Sequence, residues 1–502
     1  MRKLKDCKNF GELYETIGEE KFSIGAKWLL GVLLISPIFW GIINYCMQIK
    51  KYYYDAYNYN FNCNSLTNGI LGVITLWSFL YYFGKIRFKK NSFKELLSTQ
   101  KTLNPWILPW FALLVWTIIP MAFSKYPLKT FFGTTYLSAG YISHIFMFGV
   151  MGCAAMLKEK DRETIFRLMV GVADGLALIF MAFEYQIPII GKLAASGGMS
   201  VYTNQNHYGY YLAIACLIMI GGFYKCVNSH SQMGWTVFYL GSLIFNLYVL
   251  MINNTMGAYL AILFAAIIMI IIWKCAQKKL GVVTFAPLVI ILILTAISYF
   301  GWIPASRTGD GDTIGQSIIR MIRDILNISH KAAGYKQAGS GRWALWKETI
   351  DHIFERPIVG YGPDVPYDMA GEIFSDVPHN EYLECALYLG IPGLLLYLGG
   401  LFTLLVNKCK NLKKLSIDTI VAAGAAISYL ISSFFGVRKL NAVCFFFLFI
   451  IYKKKNRTCQ KAGATSLILS KYFIKYHISL KYFFCFDTIL FLVKICMSER
   501  LD

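Results

Sequence analysis

Charge is what this sequence has least of. Only 15% of its 502 residues are Asp, Glu, Lys or Arg, against 56% that are hydrophobic, a balance outside the range of soluble globular domains. Mean hydropathy is correspondingly high at +0.50. The thirteen cysteines contain no CxxC pair and fall almost entirely inside apolar runs or beside lysine-rich links, with Cys63 the clearest candidate for the external side. Neither a disulfide framework nor a zinc site is indicated. No repeat of fixed period, low-complexity tract or nucleotide-binding motif occurs. A cleavable leader is not expected either. Arg2, Lys3 and Lys5 precede an apolar run that starts near Ile24, but the run is too long for a signal h-region and has no small-residue cleavage site after it. It reads as a retained first helix.

What the sequence does contain is long apolar stretches. "WLLGVLLISPIFWGIINYCM" (28–47) and "GAYLAILFAAIIMIIIW" (257–273) approach or meet the roughly 20 apolar residues that cross about 30 Å of hydrocarbon. The fold class expected is therefore all-α: a polytopic membrane protein of about twelve transmembrane helices, near 24–49, 68–84, 105–123, 138–157, 164–183, 207–226, 234–252, 255–274, 281–301, 383–407, 417–436 and 440–452. The formal net charge of +21 raises the question of nucleic acid, but the basic residues cluster in short links rather than along one stripe, so membrane lipid headgroups are the partner expected and nucleic acid is not.

Those links alternate. The even ones carry Lys85, Arg87, Lys89, Lys90 and Lys94, then Lys158, Lys160 and Arg162, then Lys225, then Lys274, Lys278 and Lys279, then Lys408, Lys410, Lys413 and Lys414, while the odd ones carry far fewer. By the positive-inside rule both ends of the helical body are cytoplasmic and the long segment 302–382 is external. The expected division is 1–301, helices one to nine; 302–382, a large external loop; 383–452, helices ten to twelve; and 453–502, a basic cytoplasmic tail in which 479–497 reads as an interfacial helix rather than a thirteenth span. The aromatic and amide-rich "YYYDAYNYNFNCN" (52–64) suits a membrane interface or sugar contact.

The external loop carries the chemistry. "SIIRMIRDILN" (317–327) places Ile318, Ile322, Ile325 and Leu326 on one helical face and Arg320, Arg323, Asp324 and Asn327 around the other, the pattern of a helix lying on a bilayer. "GRWALWKETIDHIFE" forms a second amphipathic helix ended by Pro357, with Trp343, Trp346, Ile350, Ile353 and Phe354 as its apolar stripe and Lys347, Glu348, Asp351, His352 and Glu355 opposite. Arg342 lies near that stripe, in the first turn, where the helix dipole disfavours a cation. Something anionic is expected to hold it: a phosphate, bound in bidentate fashion, or a carboxylate or lipid headgroup. "GYGPDVP" (360–366) places Gly360 and Gly362 in a tight turn that lets backbone approach a ligand or another helix.

In "PHNEYLECALYLG", Asn380 is placed to N-cap the tenth helix, and His379 sits just before that helix start, whose dipole keeps an imidazole neutral and able to accept a proton. A cap or packing role is the ordinary alternative. "VYTNQNHYGYYLA" (201–213) opens the sixth helix with Asn204, Gln205, Asn206 and His207, amides that cap the helix or hydrogen-bond sugar hydroxyls, capping being the commoner use. Asp174 is the clearest intramembrane acid, marking an ion path or a buried hydrogen-bonded group.

Taken in order, "TNQNHYGYYL", "SGRWALW", "PIVGYGPD" and "PHNEYLECALYLGIPG" resemble the O-antigen ligase and Wzy-type polysaccharide polymerase family. The resemblance implies a GT-C-like membrane glycosyltransferase of the bacterial cytoplasmic (inner) membrane. Such an enzyme takes glycan from a polyprenyl-pyrophosphate carrier at the outer leaflet and passes it to a glycan, lipid or protein acceptor, with no metal and no cofactor. It matches Arg342 to the family's loop arginine and His379 to its loop histidine. One departure stands out: where many members have a Ser-Arg pair after the seventh span, this chain has Thr255 and Met256, so that Arg307, Arg320 or Arg323 would have to supply a second phosphate-binding charge. A transporter or lipid-linked glycan flippase, with Asp174, Glu184 and His144 as coupling groups, is the expectation from a different class.

Overall fold

A computed structural model describes residues 7–49, 56–88, 107–185, 202, 204–228, 233–276, 281–305, 312–329, 339, 341–365, 377–409 and 415–450. Every regular element among them is a helix: α1 (Phe10–Ile49), α2 (Ala56–Phe88), α3 (Leu108–Trp116), α4 (Ile118–Ala122), α5 (Pro127–Phe132), α6 (Tyr141–Met156), α7 (Glu159–Glu184), α8 (Gln205–Asn228), α9 (Met233–Ile252), α10 (Met256–Cys275), α11 (Ala286–Tyr299), α12 (Ile314–Ser329), α13 (Arg342–Glu355), α14 (Glu381–Cys409), α15 (Ile417–Ser432) and α16 (Leu440–Ile450). Nine helices among the described residues are long and apolar enough to cross a membrane, and Leu108–Ala122 and Tyr141–Met156 are shorter apolar ones. The apolar α16 begins where the expected twelfth span begins, and residues 451–452 of that span lie outside the described residues, as do Arg307 and the expected interfacial helix at 479–497.

Local sequence explains most departures from uniform helices. The first helix starts well before the hydropathy signal, at Phe10, and bends at Gly18 (φ 67°). The third apolar run breaks between α3 and α4 at Thr117 and contains Pro120. α8 lies at the centre, packed against α9, α10 and α15. Small residues permit close packing there. A Cβ on Gly221 would meet Val421 Cγ2 at 2.1 Å, and one on Gly424 would meet the Met269 sulfur at 2.3 Å. Helices in lipid gain from such contact, because no hydrophobic effect drives them together.

The bends and contacts sort the links onto two ends of the bundle. At one end Ser23 Oγ donates to the Met156 carbonyl (2.8 Å), while Lys158 pairs with Glu20 (2.7 Å), Lys27 with Asp161 (3.0 Å) and Lys225 with Asp418 (3.2 Å). These are basic links predicted to share a side. At the other end Asn64 Nδ2 donates to the Thr135 carbonyl (2.6 Å), Asn204 Nδ2 to the Tyr136 hydroxyl (3.3 Å), Asn254 Nδ2 to the Asp312 carbonyl (3.0 Å) and the Leu440 amide to the Leu137 carbonyl (3.2 Å). The odd links and the segment 302–382 thus meet one another.

α14 bends where its sequence reads "LGIPG". Pro392 has no amide to offer the Tyr388 carbonyl, and Gly390 takes φ 71°. The orphaned groups are met from outside the helix: Tyr361 N donates to Leu387 O (3.0 Å), Gly362 N to Tyr388 O (2.9 Å) and Ile391 N to Pro357 O (2.8 Å). Trp116 Nε1 donates to Leu389 O (2.8 Å). The bend therefore anchors the second half of the polar loop onto α14.

Candidate functional site

α13 is tied to the start of α14 by one side chain. Trp346 Nε1 donates to the Pro378 carbonyl at 2.8 Å, and the Trp346 ring packs edge-on against Phe434, centroids 5.4 Å apart. Trp343, Thr349 and Ile353 form the buried face of α13. Phe354, expected in that stripe, is instead exposed. Arg342 opens α13, half-buried, behind a left-handed Gly341 (φ 84°) with no side-chain cap. It lies within electrostatic reach of Tyr210.

His379 holds a left-handed backbone (φ 48°), uncommon for any residue with a Cβ and worth about 1–3 kcal/mol of strain. Asn380 follows and caps α14 as expected, its Oδ1 accepting from Tyr382 N (3.0 Å) and Leu383 N (3.1 Å). The cap turns the chain so that His379 is half-buried and within electrostatic reach of His207. His207 is 1% exposed, stands edge-on to Tyr210 (centroids 6.0 Å), and lies against the Val437 backbone. Arg342, Tyr210, His207 and His379 therefore form one neighbourhood.

The remaining sequence candidates fall into two groups. Asn204 caps α8, its Oδ1 accepting from Asn206 N (2.7 Å), and Asn206 is half-buried beside it. Gly360 (φ 63°) and Gly362 (φ 99°) adopt conformations that favour glycine. Their turn closely approaches a helix: the Tyr361 and Gly362 amides serve the α14 bend, and a Cβ on Gly360 would meet Tyr388 O at 2.6 Å. Arg320 and Arg323 sit on the exposed side of α12, and Arg320 is paired with Asp312. On α12 Ile318 packs inward while Ile319, Ile322 and Leu326 are exposed, an outward apolar edge of the kind a bilayer surface accepts.

Asp364, Glu384 and Lys439, charged residues that the sequence reading did not place in the site, are buried around this neighbourhood, and Arg438 is half-buried beside them. The link between α15 and α16 carries both cations, Arg438 half-buried and Lys439 in the interior. Arg438 N donates to Glu384 Oε2 (2.9 Å), and its Nη1 meets His144 Nε2 (2.8 Å). Lys439 is 0% exposed, its ammonium 4.4 Å above the Tyr136 ring. Burial pulls this amine down to about 7, against the weaker opposing pull of Cys63 and Asp364. Asp364 (φ 65°) accepts on Oδ2 from Thr134 N (2.6 Å), Thr134 Oγ1 (3.0 Å) and Ala139 N (2.9 Å). A signal for the pair was present: Arg438 and Lys439 are adjacent cations in an odd link, where the alternation leaves few.

Other groups are satisfied locally. Asp174 accepts from Ser242 Oγ and Asn246 Nδ2, both at 2.6 Å, the hydrogen-bonded alternative for an intramembrane acid. Thr255 Oγ1 donates to the Gln205 carbonyl (3.1 Å) at the α8 start. On the rim of the loop, Glu355 accepts from Tyr361 Oη (2.7 Å) and meets His352 Nδ1 (3.0 Å). His352, expected to be solvated, is half-buried. The His352 and Tyr361 contacts hold the Glu355 carboxyl below its usual range, and burial pushes Tyr361 up to about 12.

Apolar helices, polar contacts gathered at one end and a cationic, histidine-bearing neighbourhood there define a polytopic membrane protein with a polar site at one face of its bundle. Residues 240–398 match the family model described as O-antigen ligase, the family that the motifs resemble. The match contains three of the four motifs, and with them Arg342 and His379. That match spans 159 of the 502 residues and is a likeness of this region to the family. No curated protein is matched by the chain.

Proposed function

We propose that the protein polymerises a surface polysaccharide from a polyprenyl-pyrophosphate-linked glycan at the outer face of the bacterial cytoplasmic membrane, and that segment 302–382 is the external catalytic loop. The observation that supports this best is the tie from Trp346 to Pro378, which brings the helix opened by Arg342 onto the segment that presents His379. In the reaction proposed, an acceptor hydroxyl oxygen attacks the anomeric carbon of the donor sugar, and the bond from that carbon to the diphosphate oxygen breaks. The diphosphate leaves on its lipid with the electron pair. The hydroxyl proton passes to His379 as general base. Arg342 meets the charge that develops on the leaving group, where a donor fork in a partly dehydrated site has its largest effect.

A second cation is needed near a diphosphate, and Thr255 and Met256 supply none. With Arg320 paired to Asp312, Lys439 is a buried cation within electrostatic reach of His207. No metal takes part in this scheme, so transfer should survive chelators. Ligation to a lipid or protein acceptor is the second reading, since the two differ only in the hydroxyl that attacks. Reconstitution with a defined polyprenyl-linked repeat unit tests both: chain extension is the expected product, transfer to an added second acceptor alone would make the protein a ligase, and movement of the lipid without any new glycosidic bond would make it a flippase.

A further inference from the structure

Two small cavities meet at Arg438. The first is lined by His144, Glu381, Glu384, Cys385, Tyr388 and Arg438, and has about 10 Å³ open to the centre of a water molecule, close to the room one water requires. Glu381, Glu384, Cys385 and Tyr388 reach it together because they recur at three- and four-residue steps on one face of α14. Three polar atoms in this group are buried and make no hydrogen bond of normal geometry: Glu384 Oε1, Tyr388 Oη and Arg438 Nε, with the Tyr388 hydroxyl facing the Glu384 carboxyl. An acceptor, a hydroxyl and a donor are thus left unmatched around a space of one water, and buried groups of this kind rarely stay unpaired.

The lining also decides the occupant. The guanidinium on one wall disfavours a metal cation, and two carboxylates on the other disfavour an anion. A neutral molecule that both donates and accepts satisfies all three atoms. We propose that this cavity holds one ordered water, and that the water-completed Glu384–Tyr388–Arg438 cluster is a positioning device that fixes the start of α14, and with it His379, against the link carrying Lys439. The elements it joins are those that frame the site. Glu384 lies one turn beyond the Asn380 cap, Arg438 reaches His144 on α6, and the Val437 backbone beside it lies against His207. Glu381 is held separately, accepting from Tyr429 Oη (2.9 Å) and Tyr397 Oη (3.4 Å), which leaves Glu384 as the carboxylate facing the water.

The water does not depend on the glycosyl-transfer reading; the positioning role does. A cryo-electron-microscopy map of the full chain in lipid nanodiscs, at a resolution that shows bound waters, should place density within hydrogen-bond distance of those three atoms, and a dry cavity would overturn the proposal. Tyr388→Phe removes one partner of the water with little change of volume. It should lower kcat about tenfold, as expected for one lost hydrogen bond, with donor KM unchanged. Glu384→Leu should lower kcat further, and Glu384→Gln should recover part of that loss. Wild-type kcat in both Tyr388→Phe and Glu384→Leu would overturn the positioning role. If the wild-type protein transfers no sugar at all, the proposed function fails while the map still decides the water.

Discussion

At the scale of single residues, the site separates binding from proton transfer. Arg342→Lys keeps the charge but loses the bidentate fork, so most transfer should be lost through a charged hydrogen bond worth about 1.5–3 kcal/mol. Arg342→Ala should lose more, and should weaken donor binding. Lys439 carries a different signature. Its amine is depressed to about 7 by burial, while the unfolded chain keeps an ordinary lysine, so between pH 7 and about 10.5 the unfolded state binds the extra proton. Stability should therefore rise with pH across that window and, for this group, be level below about pH 7, where the folded-state lysine is charged as well. The groups facing it are Asp364, Cys63, the Tyr136 ring and His207. Lys439→Met should flatten that slope in thermal melts taken at a series of pH values; an unchanged slope would show that the amine is not buried in solution.

Elements make the site possible through their ends and bends. Asn380→Ala should cost about 1 kcal/mol by removing the α14 cap, and because the cap sets the entry of the helix, it should also disturb the position of His379. Gly390 is stricter. At φ 71° a side chain is strained, and its Cβ would meet the Ile358 carbonyl at 2.0 Å, so Gly390→Ala should lower the melting temperature and loosen the 357–362 segment; proteolysis of that segment, compared with wild type, measures the effect. The caps at Asn204 and Asn380 were legible in the sequence because capping is local chemistry, complete within three residues. The bend at Gly390 was not read, although "LGIPG" contains both its causes. Hydropathy averages over such a break, and the bend's partners, Pro357, Tyr361 and Trp116, lie far away in the chain. The same distance hid Arg438, Lys439 and Asp364, whose burial is decided by helices that only the folded bundle brings together. Arg320 and Arg323 were legible as an amphipathic face, yet the pattern held no information on Asp312 as Arg320's partner.

For the molecule as a whole, apolar run length places most of the helices, since the membrane requirement leaves few other ways to satisfy backbone groups. What the bundle adds is the sorting of links onto two ends, with cations concentrated at one and the histidine-bearing neighbourhood at the other. Single cysteines introduced at 302–382 should react with an impermeant reagent from outside, and those at 85–104 and 408–416 only from inside; the reverse pattern would remove access to an outer-leaflet donor. The central claim is that His379 takes the acceptor proton while Arg342 holds the leaving group. Its most direct test measures donor affinity and transfer rate separately on purified His379→Ala of matched thermal stability. The account predicts near-normal donor affinity and transfer slowed by about a hundredfold or more, partly relieved at high pH where the acceptor ionises more readily. Transfer at the wild-type rate, or donor binding lost as severely as in Arg342→Ala, would contradict it and leave His379 as a residue that only shapes the start of α14.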